Sequence, residues 1–158
     1  QPCALPSSSR RAPTASVARQ YYWANCVTVA GDYVYWDDSS DGMIIADIRN
    51  PSNPTIVSHL DLRPSNGPDF IAVQGDYAYV PRGTYGLQVI DISDKARPLP
   101  VRLVDTPGSA MGLVIDGDYA YLADEDGGLQ IVDISNPATA TIVGNLPTTL
   151  NAYEIHRN

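Results

Sequence analysis

Carboxylates are the side chains whose type and recurrence could do chemistry here: the sequence carries 18 Asp and Glu against 10 Lys and Arg, a formal net charge of -8. Two acidic stretches, Asp37-Asp38-Ser39-Ser40-Asp41-Gly42 and Asp124-Glu125-Asp126-Gly127, have the oxygen-rich, glycine-punctuated composition that can wrap Ca²⁺, which takes about six to eight oxygens. The corresponding stretch in the middle of the chain reads Pro81-Arg82-Gly83-Thr84-Tyr85-Gly86 and holds no carboxylate. A calcium site common to all three is therefore excluded, the turns read as solvated hairpins, and no metal is assigned. Asp47, Asp91 and Asp133 form a second set, each closing an apolar run. They could ring a channel, but an Asp before a Pro-containing or polar turn accepts the N–H groups of that turn, and the local role is expected.

The other reactive types do not cluster. His59 and His156 are the only histidines and occupy different positions in the pattern below, whereas zinc wants about three or four ligands and a triad wants Ser, His and an acid within reach. Gly83, Gly86, Gly127 and Gly128 fall in hairpins, not between a strand and a helix, so no phosphate loop is present. No catalytic residue and no cofactor is assigned. Cys3 and Cys26 are the only cysteines, with no CxxC spacing and no His nearby. They make a poor metal site and are expected to form a disulfide tying the leader to the first repeat, which implies an oxidising compartment. The chain begins at Gln1 with no basic and apolar signal segment, as a processed chain would, so a secreted or cell-surface location is expected. Tyr21, Tyr22, Trp23 and Trp36 could form an aromatic ligand platform; such residues more often cover a sheet face or a subunit contact, and an interface role is expected.

Charge and hydropathy remove two partner classes. With a net charge of -8 and Arg10-Arg11 as the only adjacent bases, a phosphate backbone would be repelled, so nucleic acid is not a partner. No apolar run approaches the roughly 20 residues of a membrane helix, and no lipid-facing alternation is visible, so the chain is read as not spanning a membrane.

The elements that position these residues emerge when the sequence is slid against itself. Gly31-Asp32-Tyr33 recurs as Gly75-Asp76-Tyr77 and Gly117-Asp118-Tyr119, at offsets of 44 and 42. The same offsets carry Gly42 onto Gly86 and Gly128, and Asp47 onto Asp91 and Asp133. Between 75–93 and 117–135, 11 of 19 positions are identical, which chance does not supply. The difference in length falls in the connection 63–68, where indels belong.

Each repeat holds four apolar runs separated by turn chemistry, as at 112–116, 119–123, 129–134 and 141–146 in the third. Asp116-Gly117-Asp118 is a tight turn, and Gly42, Gly86 and Gly128 are expected at turns that need positive φ. Ser135-Asn136-Pro137 ends the third run. Four short strands in sequence make an antiparallel meander. The third runs, Leu87-Gln88-Val89-Ile90-Asp91-Ile92 and Leu129-Gln130-Ile131-Val132-Asp133-Ile134, are apolar at nearly every position, so both faces must be covered. No helical period is visible, so sheet must stack on sheet, as in a β-propeller; a β-trefoil of three four-stranded repeats is the alternative.

The motif Leu129-Gln130-Ile131-Val132-Asp133-Ile134-Ser135-Asn136-Pro137, with Gly-Asp-Tyr-Ala-Tyr upstream, resembles the LVIVD repeat of bacterial and archaeal surface proteins. The resemblance covers about 24–149, departing in the first copy at Met43-Ile44-Ile45-Ala46-Asp47 and Trp36. It implies a propeller blade and a surface habitat, with no general catalytic activity. The reading is all-β: a leader over 1–23 with an outer strand near 16–22, blades over 24–67, 68–109 and 110–151, and an incomplete further blade over 152–158. In that register Ile155 stands at the counterpart of Leu113 and Ile71.

Three blades do not close a ring, and an open set leaves apolar faces in water. Association with copies of itself, as a ring or a filament, or completion by the remainder of a larger propeller, is expected. The function implied is a non-enzymatic extracellular structural or binding module. A propeller enzyme of the lactonase or hydrolase kind, with a metal in its channel, is the alternative, although the inner strands offer Val27-Thr28-Val29, Ile71-Ala72-Val73 and Leu113-Val114-Ile115 instead of converging polar groups.

Overall fold

The computed structural model of the chain describes residues 24–38, 42–63, 70–149, 152–153 and 155. Cys3, Tyr21, Tyr22, Trp23 and His156 lie outside the described residues, as does the leader. The strands follow the repeat. β1(Ala24–Ala30), β2(Tyr33–Asp38), β3(Gly42–Asp47) and β4(Thr55–Leu60) form one sheet. β5(Ala72–Gln74), β6(Tyr77–Pro81), β7(Leu87–Asp91) and β8(Leu99–Val104) form the second. β9(Gly112–Asp116), β10(Tyr119–Ala123), β11(Leu129–Asp133) and β12(Thr141–Leu146) form the third. Each is an antiparallel meander in sequence order, and among the described residues no strand is shared between sheets. A trefoil pairs strands from different repeats, so these are propeller blades, in an arrangement that does not close.

Local chemistry explains the repeat. Ala30 pairs with Tyr33, Gln74 with Tyr77 and Asp116 with Tyr119, leaving a two-residue loop whose first residue is Gly31, Gly75 or Gly117 at φ near +58. A positive φ at that position suits the twist of a hairpin, and glycine takes it without a Cβ penalty. The ladder between the third and fourth strands slips at the same place in every blade, at Ile45/Ala46, Val89/Ile90 and Ile131/Val132. A bulge there increases the twist of the outer strand. The turn expected at Ser135-Asn136-Pro137 opens into a short 3₁₀ turn over Pro137–Thr139, with proline pre-set in its first position.

Strand alternation divides the apolar residues into layers between blades. Tyr35, Met43, Ile45 and Leu62 of the first blade meet Ile71, Ala78, Val80 and Ile90 of the second. Tyr79, Leu87, Val89 and Val104 of the second meet Leu113, Ala120, Leu122 and Val132 of the third. Both layers are apolar, and burial pushes the phenols of Tyr35 and Tyr79 up to about 12. Trp36, expected at an interface, is buried with Ile44 and Ala46 on the opposite face of the first sheet. The expectation of two bare end faces is thereby corrected at the first blade: among the described residues Trp36, Ile44 and Ala46 on its second and third strands are buried, while Val27 and Val29 on its inner strand are exposed.

Candidate functional site: the blade seams and the open third face

Seams between blades carry Arg82 and Asp124, which the sequence reading placed in solvated hairpin turns and which are buried instead. Position 82 of the second blade and position 124 of the third are equivalent, one residue past the second strand, and both are buried, as are Gln88 and Gln130 beside them. Arg82 donates to the carbonyl of Leu62, where the first blade exits towards the second, and to Gln88 Oε1 at 3.3 Å. Tyr85 lies under its guanidinium at 5.5 Å. Asp124 does the converse: its Oδ2 accepts the Gly108 N–H at 2.9 Å, on the connection from the second blade to the third. One position thus plugs each connection from above, a cation where a carbonyl is offered and an acid where an N–H is offered. Backbone bridges flank both plugs, Gly83 with Ala110 and Glu125 with Ala152. Ala152 therefore occupies for the third blade the place Ala110 occupies for the second, while Ile155 is half-buried and outside any strand.

Further ties cross the seams at the rims. Thr28 donates to the Ile71 carbonyl, Gln74 Nε2 to that of Gly117 at 2.9 Å, Ser58 to that of Lys95 at 2.7 Å, and Arg102 to that of Ala140 at 3.0 Å. Ser58 and Arg102 are equivalent positions on the outer strand, and the third blade has Gly144 there. With no side chain at 144, the third blade lacks the outer-strand donor with which each earlier blade holds the next.

The remaining sequence-selected residues are spent locally. Asp47, Asp91 and Asp133 accept the N–H two residues on, from Arg49 at 2.9 Å, Ser93 at 2.8 Å and Ser135 at 2.9 Å. Side-chain hydrogen bonds from Arg49, Ser93 and Ser135 hold these carboxyls below the usual range. Gly42, Gly86 and Gly128 have φ of +98, +82 and +76 and lie against the carbonyls of Leu60, Val104 and Leu146 across the outer ladder. His59 lies on β4, paired with Ile44. Cys26 lies on β1. Among the described residues no three His, Cys, Asp or Glu side chains come together as metal ligands.

Exposure is uneven at equivalent positions. Val104 is 3% exposed in the second blade, and its counterpart Leu146 is 59% exposed in the third. Tyr79, Leu87 and Val89 are fully buried, while Tyr121, Leu129 and Ile131 are only half-buried. At the other end Val27, the counterpart of the buried Ile71 and Leu113, is 46% exposed. The uncovered apolar surface is the repeat's own seam surface where no further blade lies on it.

Four-stranded blades that share no strand and are joined by apolar layers and plugged connections define a β-propeller repeat protein. The family model described as the LVIVD repeat matches three times, over residues 23–61, 69–106 and 107–148, and the chain belongs to the LVIVD-repeat family. Among solved structures it is similar to the computationally designed Ika4 protein, with TM-score 0.67 and 9% identity over 96% of this chain and 88% of that one. It is also similar to the computationally designed Ika8 protein, with TM-score 0.60 and 10% identity, covering 84% of this chain and 39% of that one. At these identities the likeness is one of fold alone. No curated protein matches the sequence.

Plug residues escaped the sequence reading because their chemistry alternates. Arg82 and Asp124 share no charge, so the register hides what they share in role. The available signal was a charged side chain at the same place in every copy, Asp38, Arg82 and Asp124, at the end of the second strand.

Proposed function

We propose that this chain is a non-enzymatic, extracellular β-propeller building block that completes itself by association through the open face of its third blade. The observation that carries this reading is the contrast between Leu146 at 59% exposure and Val104 at 3% in the same repeat position, with Tyr121, Leu129 and Ile131 following suit. Burying a leucine fully is worth about 1.5–3 kcal/mol, so several such side chains give a driving force for covering the face. Two copies would supply six blades and the simplest ring; a rotation that does not close gives a head-to-tail filament. Apolar inner strands at Ile71 and Leu113, buried in the layers between blades, support a scaffold over a channel enzyme. The surface habitat of the resembling repeat and the expected Cys3–Cys26 pairing support an exported location.

Light scattering on the intact protein, with negative-stain imaging for fibres, tests the reading. Dimers or polymers are expected, and Leu146→Asp should reduce them to monomer while leaving the fold intact. A stable, well-folded wild-type monomer overturns it.

A further inference from the structure

We infer that Asp124 is carried as a neutral acid clamped between the loop 124–128 and the connection 105–111, and that its ionisation releases the seam between the second and third blades. The side chain is 0% exposed and built into both elements. Its Oδ2 takes the Gly108 N–H at 2.9 Å, and its backbone carbonyl takes the amides of Gly127 at 2.7 Å and Ser109 at 3.4 Å. The slot around it is full. A Cβ at Gly108 would stand 2.0 Å from the Asp124 carbonyl oxygen, and one at Gly127 would stand 2.2 Å from Oδ2.

Burial of the whole carboxyl favours its neutral form. Oδ1 and the hydroxyl oxygen of Thr106 are both buried, and Thr106, which belongs to the connection, faces the same carboxyl. A negative charge there would sit in a desolvated slot with only the neutral donors of Thr106, Gly108 and Gln130 set against it, whereas the neutral acid leaves no charge to be desolvated. The groups that face the carboxyl are Thr106 and Gly108 on the connection, Gln130 on β11, and the carboxylate of Asp126 on its own loop. None is a cation. Burial pushes the Asp124 carboxyl above the usual carboxylate range and Asp126 adds to this, with the hydrogen bonds of Thr106, Gly108 and Gln130 opposing.

The sign follows from linkage. A group whose folded pKa is raised stabilises the fold below its unfolded value and loses that contribution as pH rises through the folded value. Acid therefore locks the third blade onto the second, and a less acidic medium loosens it. The seam between the first and second blades is an internal control, because Arg82 and not a carboxyl fills the equivalent position.

Three measurements test the inference on the full chain. Amide-exchange protection, corrected for intrinsic rates, should fall at Gly108 by up to about tenfold per pH unit once Asp124 ionises, and stay level at Arg82, whose N–H bonds the Gly86 carbonyl within the second blade. Asp124→Asn, which keeps an acceptor for Gly108 and a donor for Thr106, should abolish the fall at Gly108. The carboxyl ¹³C shift of Asp124 in wild type should titrate above the ordinary aspartate value. Titration at or below that value, or the same fall at Gly108 in the Asn variant, overturns the inference; if the variant does not fold, the ¹³C titration decides alone.

Discussion

Replacing Gly86 by alanine should be among the costliest single-methyl changes in this chain. Its φ is +82, and an added Cβ would stand 2.1 Å from the Val104 carbonyl oxygen and 3.1 Å from the Thr106 nitrogen. Both neighbours are backbone, so neither can swing aside as a flexible side chain would. Left-handed strain costs about 1–2 kcal/mol in an L-residue, and forcing a methyl into a packed site costs about 1–3 kcal/mol more. The sum, about 2–5 kcal/mol, should lower Tm by about 6–15 °C in a chain of this length. Gly75 separates the two causes: its φ is +58, and nothing lies within 4 Å of an added Cβ. Gly75→Ala should therefore cost only the conformational part, about 1–2 kcal/mol. Thermal denaturation followed by circular dichroism measures both variants. Equal losses would refute the argument from close approach, since they would leave dihedral strain as the whole effect.

Glu125 has a positive φ of +43, and its counterpart Gly83 has +57. Glu125→Gly should raise stability by about 0.5–1 kcal/mol in denaturant melts, relieving strain while keeping the backbone bridge to Ala152. The depressed carboxyls of Asp47, Asp91 and Asp133 contribute stability that is present above the ordinary carboxylate value and lost as pH falls through their lowered ones. Melting across about pH 2 to 5 should therefore show a falling acid limb that Asp91→Asn flattens. Mass spectrometry without reduction should find Cys3 joined to Cys26, and two alkylatable thiols in native material would end that proposal; loss of the bridge should cost no more than about 2–4 kcal/mol.

Strands, turns and blade class were legible because they rest on local rules. Gly-Asp-Tyr marks a two-residue hairpin and fully apolar third strands demand cover on both faces, as Val89 and Ile90 show by packing into different layers. What was not legible depends on which blade has a neighbour. Leu146 and Val104 read alike in sequence, and only the presence or absence of a following blade makes one exposed and the other buried. Trp36 looked like surface for the same reason, since pattern alone does not say that the outward face of the first sheet is covered. The Asp124 plug depends on Gly108, 16 residues earlier, and so on a contact that periodicity does not report.

Because no strand is shared between sheets among the described residues, each ladder of backbone hydrogen bonds there begins and ends inside one repeat. A duplication or deletion of one repeat of the gene, 42 or 44 codons in frame, cuts through connections and leaves every remaining ladder whole. What such an event must rebuild is a single layer of side chains and one plug. In a repeat array whose stability is close to a sum of unit and nearest-neighbour terms, blade number can drift by recombination while the fold survives each step. The swap of cation for acid between positions 82 and 124 then marks each blade by the connection it closes, an order tag within an otherwise interchangeable series.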